Sequence, residues 1–406
     1  TLATEDGATY QLTFDYSGIY PGTSETTITY NVGGDAQSVD LTLVNGQVPW
    51  ASETFEFTAT AGGTALSFTG EQVAGFWGAS IDNVSVTVLP ATSDAADTII
   101  VNDGASPTTA TLNIDQDYSL TATTSIALGV GTGAGFVNQS NGTVTTADLA
   151  INDSGTGDTS QYNLSGGELS VSSVISINAN GALNQTGGTI SGSGTIANNG
   201  SFSYNSTTNQ TLSGVISGTG SVTKDNTGTL TLSASNTYTG GTTVNAGLLD
   251  LVGQNRIDGA LTVDGTGIVK LSGTSHNAFG GISSVTLQNG GTFTDNSQGG
   301  LVQSVSAPVT FTNGGTMTSE AGANGTGGFG NYLFINGINV TGTGLATISA
   351  SGISFNYGDT ITVADTVAGS GTDLLIASII KNDRVGTNIK AGAGTLTLTG
   401  INTCIL

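Results

Sequence analysis

GTGSVTKDNTGTLTLSASNTYTGGTTVNAGLLDL, residues 218–251, is the stretch that decides the fold. Short runs of Val, Leu and Thr alternate there with Gly and Asn, which favour turns. Each run is too short to bury an apolar face by itself, so it needs a similar run stacked above and below it. The stretch therefore predicts a solenoid, in which every coil contacts only its two neighbours.

The same stretch closely resembles the autotransporter-associated β-strand repeat of bacterial surface proteins. In that family the repeat builds rod-like, parallel β-helical passengers that are displayed outside the cell. The resemblance implies a secreted or cell-surface bacterial protein with a structural or adhesive role. Residues 394–403, GTLTLTGINT, repeat residues 228–237, GTLTLSASNT, and the chain then stops. We therefore expect the last repeat to be truncated and the chain to be a fragment.

Composition supports an all-β chain and excludes several classes of function. Five prolines and the absence of helical periodicity leave little room for helices. Six Lys and Arg face 29 Asp and Glu, and the first 223 residues hold 19 acidic residues and no basic one. Nucleic-acid binding needs cations on phosphates, and this chain lacks them. No segment is apolar and long enough to span a membrane as a helix, and one Cys and one His exclude disulfides within the chain and His clusters.

Residues 1–90 differ from the rest of the chain, because their strands are longer and alternate between apolar and polar residues. This alternation predicts a two-sheet sandwich. The motifs resemble jelly-roll domains of the carbohydrate-binding-module and galactose-binding-like type. The matching segments are Tyr10–Ser17, Trp50–Ala59, Leu66–Phe68 and Ile81–Val86. The first strand of that family has no counterpart in the sequence, so we expect this sandwich to lack it.

A polar linker is predicted at residues 91–97, and residues 98–406 are predicted to form a right-handed parallel β-helix. Turn glycines recur along this segment, at Gly142, Gly167, Gly188, Gly241, Gly291 and Gly315. Their spacing indicates coils of roughly 21 to 27 residues, hence roughly 12 to 15 coils. Asparagine amides can form ladders along such an axis, and the candidates are Asn198, Asn199, Asn289 and Asn313.

Aromatic residues of the sandwich are the candidates for glycan contact. Exposed aromatic rings stack on sugars while carboxylates and amides bind the hydroxyls, as the resemblance to carbohydrate-binding modules implies. The candidates are Tyr16, Tyr20, Trp50 and Trp77, and the last is expected in a loop with Phe76. The alternative is that these rings fill the sandwich core, which is usual for large aromatic side chains.

Asp82 occupies the acidic position that carries a structural calcium in many modules of the resembled family. Glu5 and Asp6 are its candidate partners, and hard oxygen ligands of this kind suit Ca²⁺. The alternative is a solvated or capping aspartate.

Catalysis is not expected, although polysaccharide-degrading enzymes also use β-helices. Asp115 and Asp117 form the nearest carboxylate pair, yet their neighbours indicate an ordinary turn. We expect an extracellular structural or adhesive protein that contacts copies of itself end to end or by strand donation. A glycan-binding adhesin acting on an extracellular polysaccharide is the alternative.

Overall fold

The computed structural model describes residues 9–19, 26–41, 48–59, 64–70, 77–88, 94–102, 104, 108–115, 118–154, 157–252, 257–273, 279–296, 302–320, 330–365, 371–381 and 387–401. These residues form only strands, turns and irregular connections. Within these ranges there is thus no apolar helix of membrane-spanning length. The predicted architecture, antiparallel sheets followed by a parallel β-solenoid, is confirmed.

The chain separates into two compact units close to Ser93. Asp94–Asp97, predicted as part of a linker, instead begin the first strand of the second unit. They pair in parallel with residues of the next coil, Asp94 with Leu120 and Ala96 with Ala122. The solenoid therefore starts earlier than its composition indicates, because Asp and Ala can occupy a strand whose ladder is provided by a neighbouring coil.

The first unit contains two antiparallel sheets of three strands each. Its strands are β1 (Thr9–Ile19), β2 (Thr26–Val32), β3 (Asp35–Leu41), β4 (Val48–Thr58), β5 (Leu66–Gly70) and β6 (Trp77–Val88). One sheet has the order β4-β1-β6 and the other the order β3-β2-β5. The four segments that carry the family resemblance lie in β1, β4, β5 and β6, with only Ala59 beyond the end of a strand.

Side chains from both sheets share one core. Leu12 and Phe14 of β1 cluster with Ile28 and Tyr30 of β2. The rings of Phe14 and Tyr30 meet edge to face, with centroids 5.1 Å apart, a geometry that aromatic pairs favour. Alternation along β1 thus points every second side chain into the space between the sheets.

The second unit is built from short parallel strands. The strands of its first half are β7 (Asp94–Val101), β8 (Thr109–Ile114), β9 (Ser119–Leu128), β10 (Ala134–Gln139), β11 (Thr143–Ile151), β12 (Ser160–Leu164), β13 (Glu168–Ile177), β14 (Gly181–Gln185), β15 (Thr189–Ser191), β16 (Thr195–Asn198), β17 (Ser201–Asn205), β18 (Gln210–Leu212), β19 (Ile216–Ser217), β20 (Ser221–Asp225) and β21 (Thr229–Leu232). Those of the second half are β22 (Thr242–Leu251), β23 (Ile257–Leu271), β24 (Phe279–Gln288), β25 (Thr292–Asp295), β26 (Gln303–Val305), β27 (Val309–Thr312), β28 (Gly315–Ser319), β29 (Tyr332–Phe334), β30 (Ile338–Thr341), β31 (Ala346–Ile348), β32 (Ile353–Phe355), β33 (Thr360–Val363), β34 (Leu374–Ile376), β35 (Ile389–Ala391) and β36 (Leu396–Leu398).

The solenoid has three faces, and in each face a strand pairs with the equivalent strands of the coils above and below it. The first face contains β10, β12, β14, β17 and β20 in succession. The second face includes β18, β21 and the C-terminal part of β22. The third face includes the C-terminal part of β13, then β16 and β19. Long strands such as β22 and β23 bend around the corner between two faces, where their pairing register shifts.

The solenoid has about 11 turns, slightly fewer than the 12 to 15 predicted. Coil length also varies more than the predicted range. Ala182 lies over Ser201, a coil of 19 residues, whereas Val309 lies over Ile338, a coil of 29. Since the stacked strands keep their register, the corners must absorb the extra residues.

Apolar side chains stack inside the solenoid in continuous rows. In the first face, Tyr162, Leu183, Phe202 and Val222 are consecutive partners of one another, and each is at most 1% exposed. Burial of such a row is the main favourable term in the free energy of folding.

A second interior row of the first face contains polar side chains, which sequence reasoning missed. Gln139, Gln185, Tyr204 and Lys224 occupy it in four coils, and all are buried. Their polar atoms bind groups at the following corner. Gln139 Nε2 donates to the carbonyls of Gly142 and Glu168 at 3.2 and 2.9 Å. These side chains therefore add hydrogen bonds to backbone carbonyls at the corner, where two coils meet.

Lys224 differs from the other three residues of this row in carrying a charge, and its ammonium lies inside the solenoid. Nζ donates to the carbonyls of Asp225, Asn226 and Ala246 at 2.7, 2.7 and 3.0 Å. It also lies 5.4 Å from the centre of the Tyr204 ring. Burial lowers the pKa of Lys224 to about 8, although the negative charge of Asp225 opposes the shift. Ala246 belongs to the next coil, so Lys224 joins two coils through one side chain.

Asparagine ladders occur, but only partly where predicted. Asn313 Nδ2 donates to Asn289 Oδ1 at 3.2 Å, which confirms that pair. Asn198 and Asn199 instead bind backbone groups, the carbonyl of Ser221 and the amide of Thr219. A longer ladder lies on the outer side of the first face, where four amides bind in series at 2.9 Å: Asn113, Asn138, Asn163 and Asn184.

Corner glycines are required for two reasons. Gly167 has φ +72, a conformation that other residues rarely adopt. A Cβ on Gly167 would also lie only 2.2 Å from the carbonyl oxygen of Gly142 in the preceding coil. Gly291 lacks a positive φ, yet its Cβ would lie 2.2 Å from the Val263 oxygen. Glycine is therefore required at these corners because successive coils stack closely, and not only because of the turn geometry.

Candidate glycan-contact patch

The outer patch, which we define as Asp15, Trp50, Ser52, Asp82 and Asn83, lies on the solvent side of the β4-β1-β6 sheet. β1 is the central strand of this sheet, and Asp15 is paired with Ser52 on one side and with Asp82 on the other. Directly paired residues of antiparallel strands point to the same face. Three polar side chains therefore cross the sheet in one line.

Hydrogen bonds hold the Asp15 carboxylate in place. Ser52 Oγ donates to its Oδ1 at 2.5 Å, and Asn83 Nδ2 donates to its Oδ2 at 2.7 Å. These bonds, that from Asn83 first, keep the pKa of Asp15 below its ordinary value. Asp82 Oδ1 accepts from the backbone amide of Asn83 at 2.8 Å. The patch thus presents a fixed, ionised carboxylate at neutral pH.

Trp50 is the exposed aromatic residue of the patch. It is 57% exposed, which is unusual for the largest apolar side chain. A β-bulge sets its position, since Tyr16 pairs with Ala51 while Gly18 pairs with Val48, leaving an extra residue on β4. Exposure then alternates along β4, with Trp50 and Ser52 exposed and Ala51 more buried, so Trp50 and Ser52 share the outer side.

This arrangement has the chemistry of a sugar contact. An exposed indole offers a flat apolar surface for one face of a pyranose ring, while the carboxylates and amide beside it can accept from and donate to hydroxyls. The hydrogen bonds within the patch fix these polar groups before a ligand arrives, which lowers the entropy lost on binding.

Of the predicted aromatic candidates, Trp50 alone is a described, exposed side chain. Tyr16 faces inward and packs against the sandwich core, with its ring 6.1 Å from that of Phe14, so its predicted role as a platform is wrong. The alternation Tyr10, Leu12, Phe14, Tyr16 along β1 already indicates that the Tyr16 side chain points toward the core. Trp77 is the first residue of β6, paired with Ile19, and not part of a loop. Tyr20 and Phe76 lie outside the described residues.

The predicted calcium ligands do not form a cation site among the described residues. Asp82 is exposed, and Glu5 and Asp6 lie outside the described ranges. In the part of the chain that the structure describes, no three acidic, His or Cys residues converge. Ca²⁺ takes six to eight oxygen ligands, whereas both oxygens of Asp15 already accept from neutral donors. Asp82 accepts from the Asn83 amide within β6, beside the bulge where the pairing of β6 with β1 shifts register. Asp15, the central residue of the patch, was missed as a candidate although it lies in the motif Tyr10–Ser17.

Two family models match parts of the chain. The model described as Passenger-associated-transport-repeat matches residues 222–251 and 389–403. The model described as Protein of unknown function (DUF642) matches residues 1–87, and that family is of the galactose-binding-like type. No curated protein and no solved structure matches the chain.

The repeat match and the parallel solenoid together fit an autotransporter-type passenger repeat protein. The matched repeat contains Lys224 and the corner that it binds. The match to the galactose-binding-like family covers most of the first unit, with its two antiparallel sheets.

Proposed function

We propose that this chain is an exported, extracellular passenger of a bacterial surface protein, in which the solenoid is a structural element and the sandwich makes adhesive contacts. The observation that carries the proposal is the unbroken parallel stack from β8 to β36, whose repeat matches a passenger-associated family. Such a stack gives a stiff element, since each added coil extends the same ladders and rows. The acidic composition, with a net charge of −23, favours solubility outside the cell.

Treatment of intact cells with a protease tests the location. We expect proteinase K, which does not depend on Lys or Arg, to remove the protein from intact producing cells while a cytoplasmic marker survives. Only six Lys and Arg are present, so trypsin is a poor probe. Protection of the protein until the cells are lysed would contradict an extracellular location.

We further propose that the outer patch binds a neutral polysaccharide. The supporting observation is the exposed Trp50 on the side of the sheet that carries the ordered carboxylate of Asp15. The sandwich would thus contribute recognition while the solenoid contributes reach, without any catalytic step.

The variant Trp50→Ala is expected to weaken polysaccharide binding by at least tenfold, because it removes the surface on which the sugar ring stacks. A panel of immobilised polysaccharides and isothermal titration with the best binder measure this. The matched control is Tyr357→Ala, since Tyr357 is also 57% exposed but lies in the solenoid. Equal losses in both variants, or no binding by the unchanged chain, would contradict a glycan role for the patch. Release of reducing or unsaturated sugars would instead indicate an enzyme.

Self-association is a further part of the proposed function. Among the described strands of the sandwich, β3 and β5 each pair with β2 only. Unpaired strand edges are templates for another chain, as strand donation requires. We expect mass measured by light scattering to increase with concentration. A monomer at every concentration tested contradicts assembly, whether through solenoid ends or through strand donation to the sandwich.

A further inference from the structure

One interior row of the second face is interrupted by a glycine. Leu212, Leu232, Leu251 and Leu271 stack on one another in successive coils. In the two coils before Leu212, the same row contains Val171 and then Gly192, because Ser170 pairs with Ser191 and the next residues follow in register. The aliphatic row therefore lacks one side chain between Val171 and Leu212.

Glycine is required at this position. Gly192 has φ +96, and a Cβ there would lie 2.0 Å from the carbonyl oxygen of Val171. The chain can therefore not fill the gap by a substitution at Gly192 without moving the preceding coil.

Gln210 keeps the neighbouring strands apart. Its Oε1 accepts from the amide of Ile190, and its Nε2 donates to the carbonyl of the same residue, both at 2.9 Å. A side-chain amide thus occupies the place of a ladder partner between β15 and β18. Gln185 Nε2 donates to the same Gln210 oxygen at 3.1 Å, which fixes the spacer.

These features leave a cavity of about 290 Å³ at the corner between the second and third faces, and it opens to solvent where its lining residues Gly192, Thr211 and Ser213 are exposed. Five aliphatic side chains line it: Val171, Ile175, Ile190, Ile196 and Leu212. Each is at least nine-tenths buried. The polar lining consists of hydroxyl residues and backbone, and no charged side chain lines the cavity, although the chain carries a net charge of −23.

We propose that this cavity is a binding site for a small, uncharged apolar molecule, either one aromatic ring or a short branched alkane. Its size supports this class, because apolar cavities of about 150 Å³ in proteins already bind benzene. Its chemistry excludes ions, since no counter-charge and no converging polar groups are present. Because hydrogen-bonded strands of neighbouring coils line the cavity, the site exists before the ligand binds. The inference does not depend on the surface role proposed above.

Toluene titrated into the full chain, with Ile, Leu and Val methyl groups labelled for NMR, tests the proposal. We expect saturable shifts of the methyl resonances of Ile175, Ile190 and Ile196, and a rise in the melting temperature. Benzoate, which has a similar ring and a negative charge, is expected to give neither effect.

Two filling variants and one control complete the test. Val171→Phe and Leu212→Phe each place an aromatic ring in the gap, where toluene would bind, and should weaken toluene binding at least tenfold. Val269→Leu, an equally buried change that does not line the cavity, should leave toluene binding unchanged. Where one filling variant fails to fold, the other decides. Linear, unsaturable shifts, or an unchanged toluene affinity in a folded filling variant, would overturn the proposal.

Discussion

Gly167→Ala is expected to lower the free energy of unfolding by about 4 kcal/mol or to prevent folding. A left-handed conformation costs a residue with a Cβ about 1 to 2 kcal/mol. The rest comes from the contact of 2.2 Å between the new Cβ and the Gly142 oxygen. That oxygen accepts from the Glu168 amide at 2.8 Å, so the strain reaches the ladder between two coils.

Gly358→Ala is the matched control. Gly358 has φ +70, nearly the same as Gly167, but nothing lies within 4 Å of its added Cβ. We expect a loss of about 1 kcal/mol, from the backbone conformation alone. Urea unfolding followed by circular dichroism measures both variants. Equal losses would show that coil stacking contributes nothing at Gly167.

Lys224→Met is expected to lower the free energy of unfolding by about 2 kcal/mol at pH 7. Methionine keeps most of the side-chain length but donates no hydrogen bond. The carbonyls of Asp225, Asn226 and Ala246 would each lose the ammonium that binds them. Unsatisfied buried acceptors are destabilising by more than the bonds themselves contribute.

The stability difference between the unchanged chain and Lys224→Met is expected to depend on pH. Because the pKa of Lys224 falls from 10.5 to about 8 on folding, the folded chain binds fewer protons than the unfolded chain between these values. The contribution of Lys224 to stability therefore rises with pH over this range, as the buried charge is lost. The difference between the unchanged chain and Lys224→Met should grow from pH 8 to pH 10.5. A difference that shrinks over this range contradicts the assignment.

Lys270→Met is the control for Lys224→Met. Lys270 forms an ion pair with Glu320 at 2.8 Å, in which the two side chains are 21% and 43% exposed. Partly exposed pairs contribute little to stability. We expect a change of at most about 0.5 kcal/mol, without the pH dependence.

The solenoid could be predicted from the sequence because its determinants are local. Alternating Val, Leu and Thr define strands of residues 229–232 and 242–251, and glycines mark the corners. The family resemblance and the repeat match agree on this segment. Coil length was predicted less well, since insertions at corners do not change the pattern within a face.

Lys224 and the outer patch could not be predicted in the same way. A lysine in a polar repeat indicates a solvated side chain, and this outweighs the alternation with Val222 that places Lys224 on the inner side, over Tyr204. The exposure of Trp50 depends on one bulge in the pairing of β1 with β4. The inward orientation of Tyr16, by contrast, follows directly from its alternation with Phe14, so Tyr16 could have been assigned to the core.

Pairing restricted to adjacent coils determines how the solenoid responds to mechanical load. A pulling force along the axis acts first on the outermost coil, which can detach while every inner coil keeps its bonds. A released coil of 20 residues, such as that from Ser201 to Ser221, adds about 70 Å of contour length. Extension would therefore proceed in discrete steps, one coil at a time, while the remaining ladders stay intact.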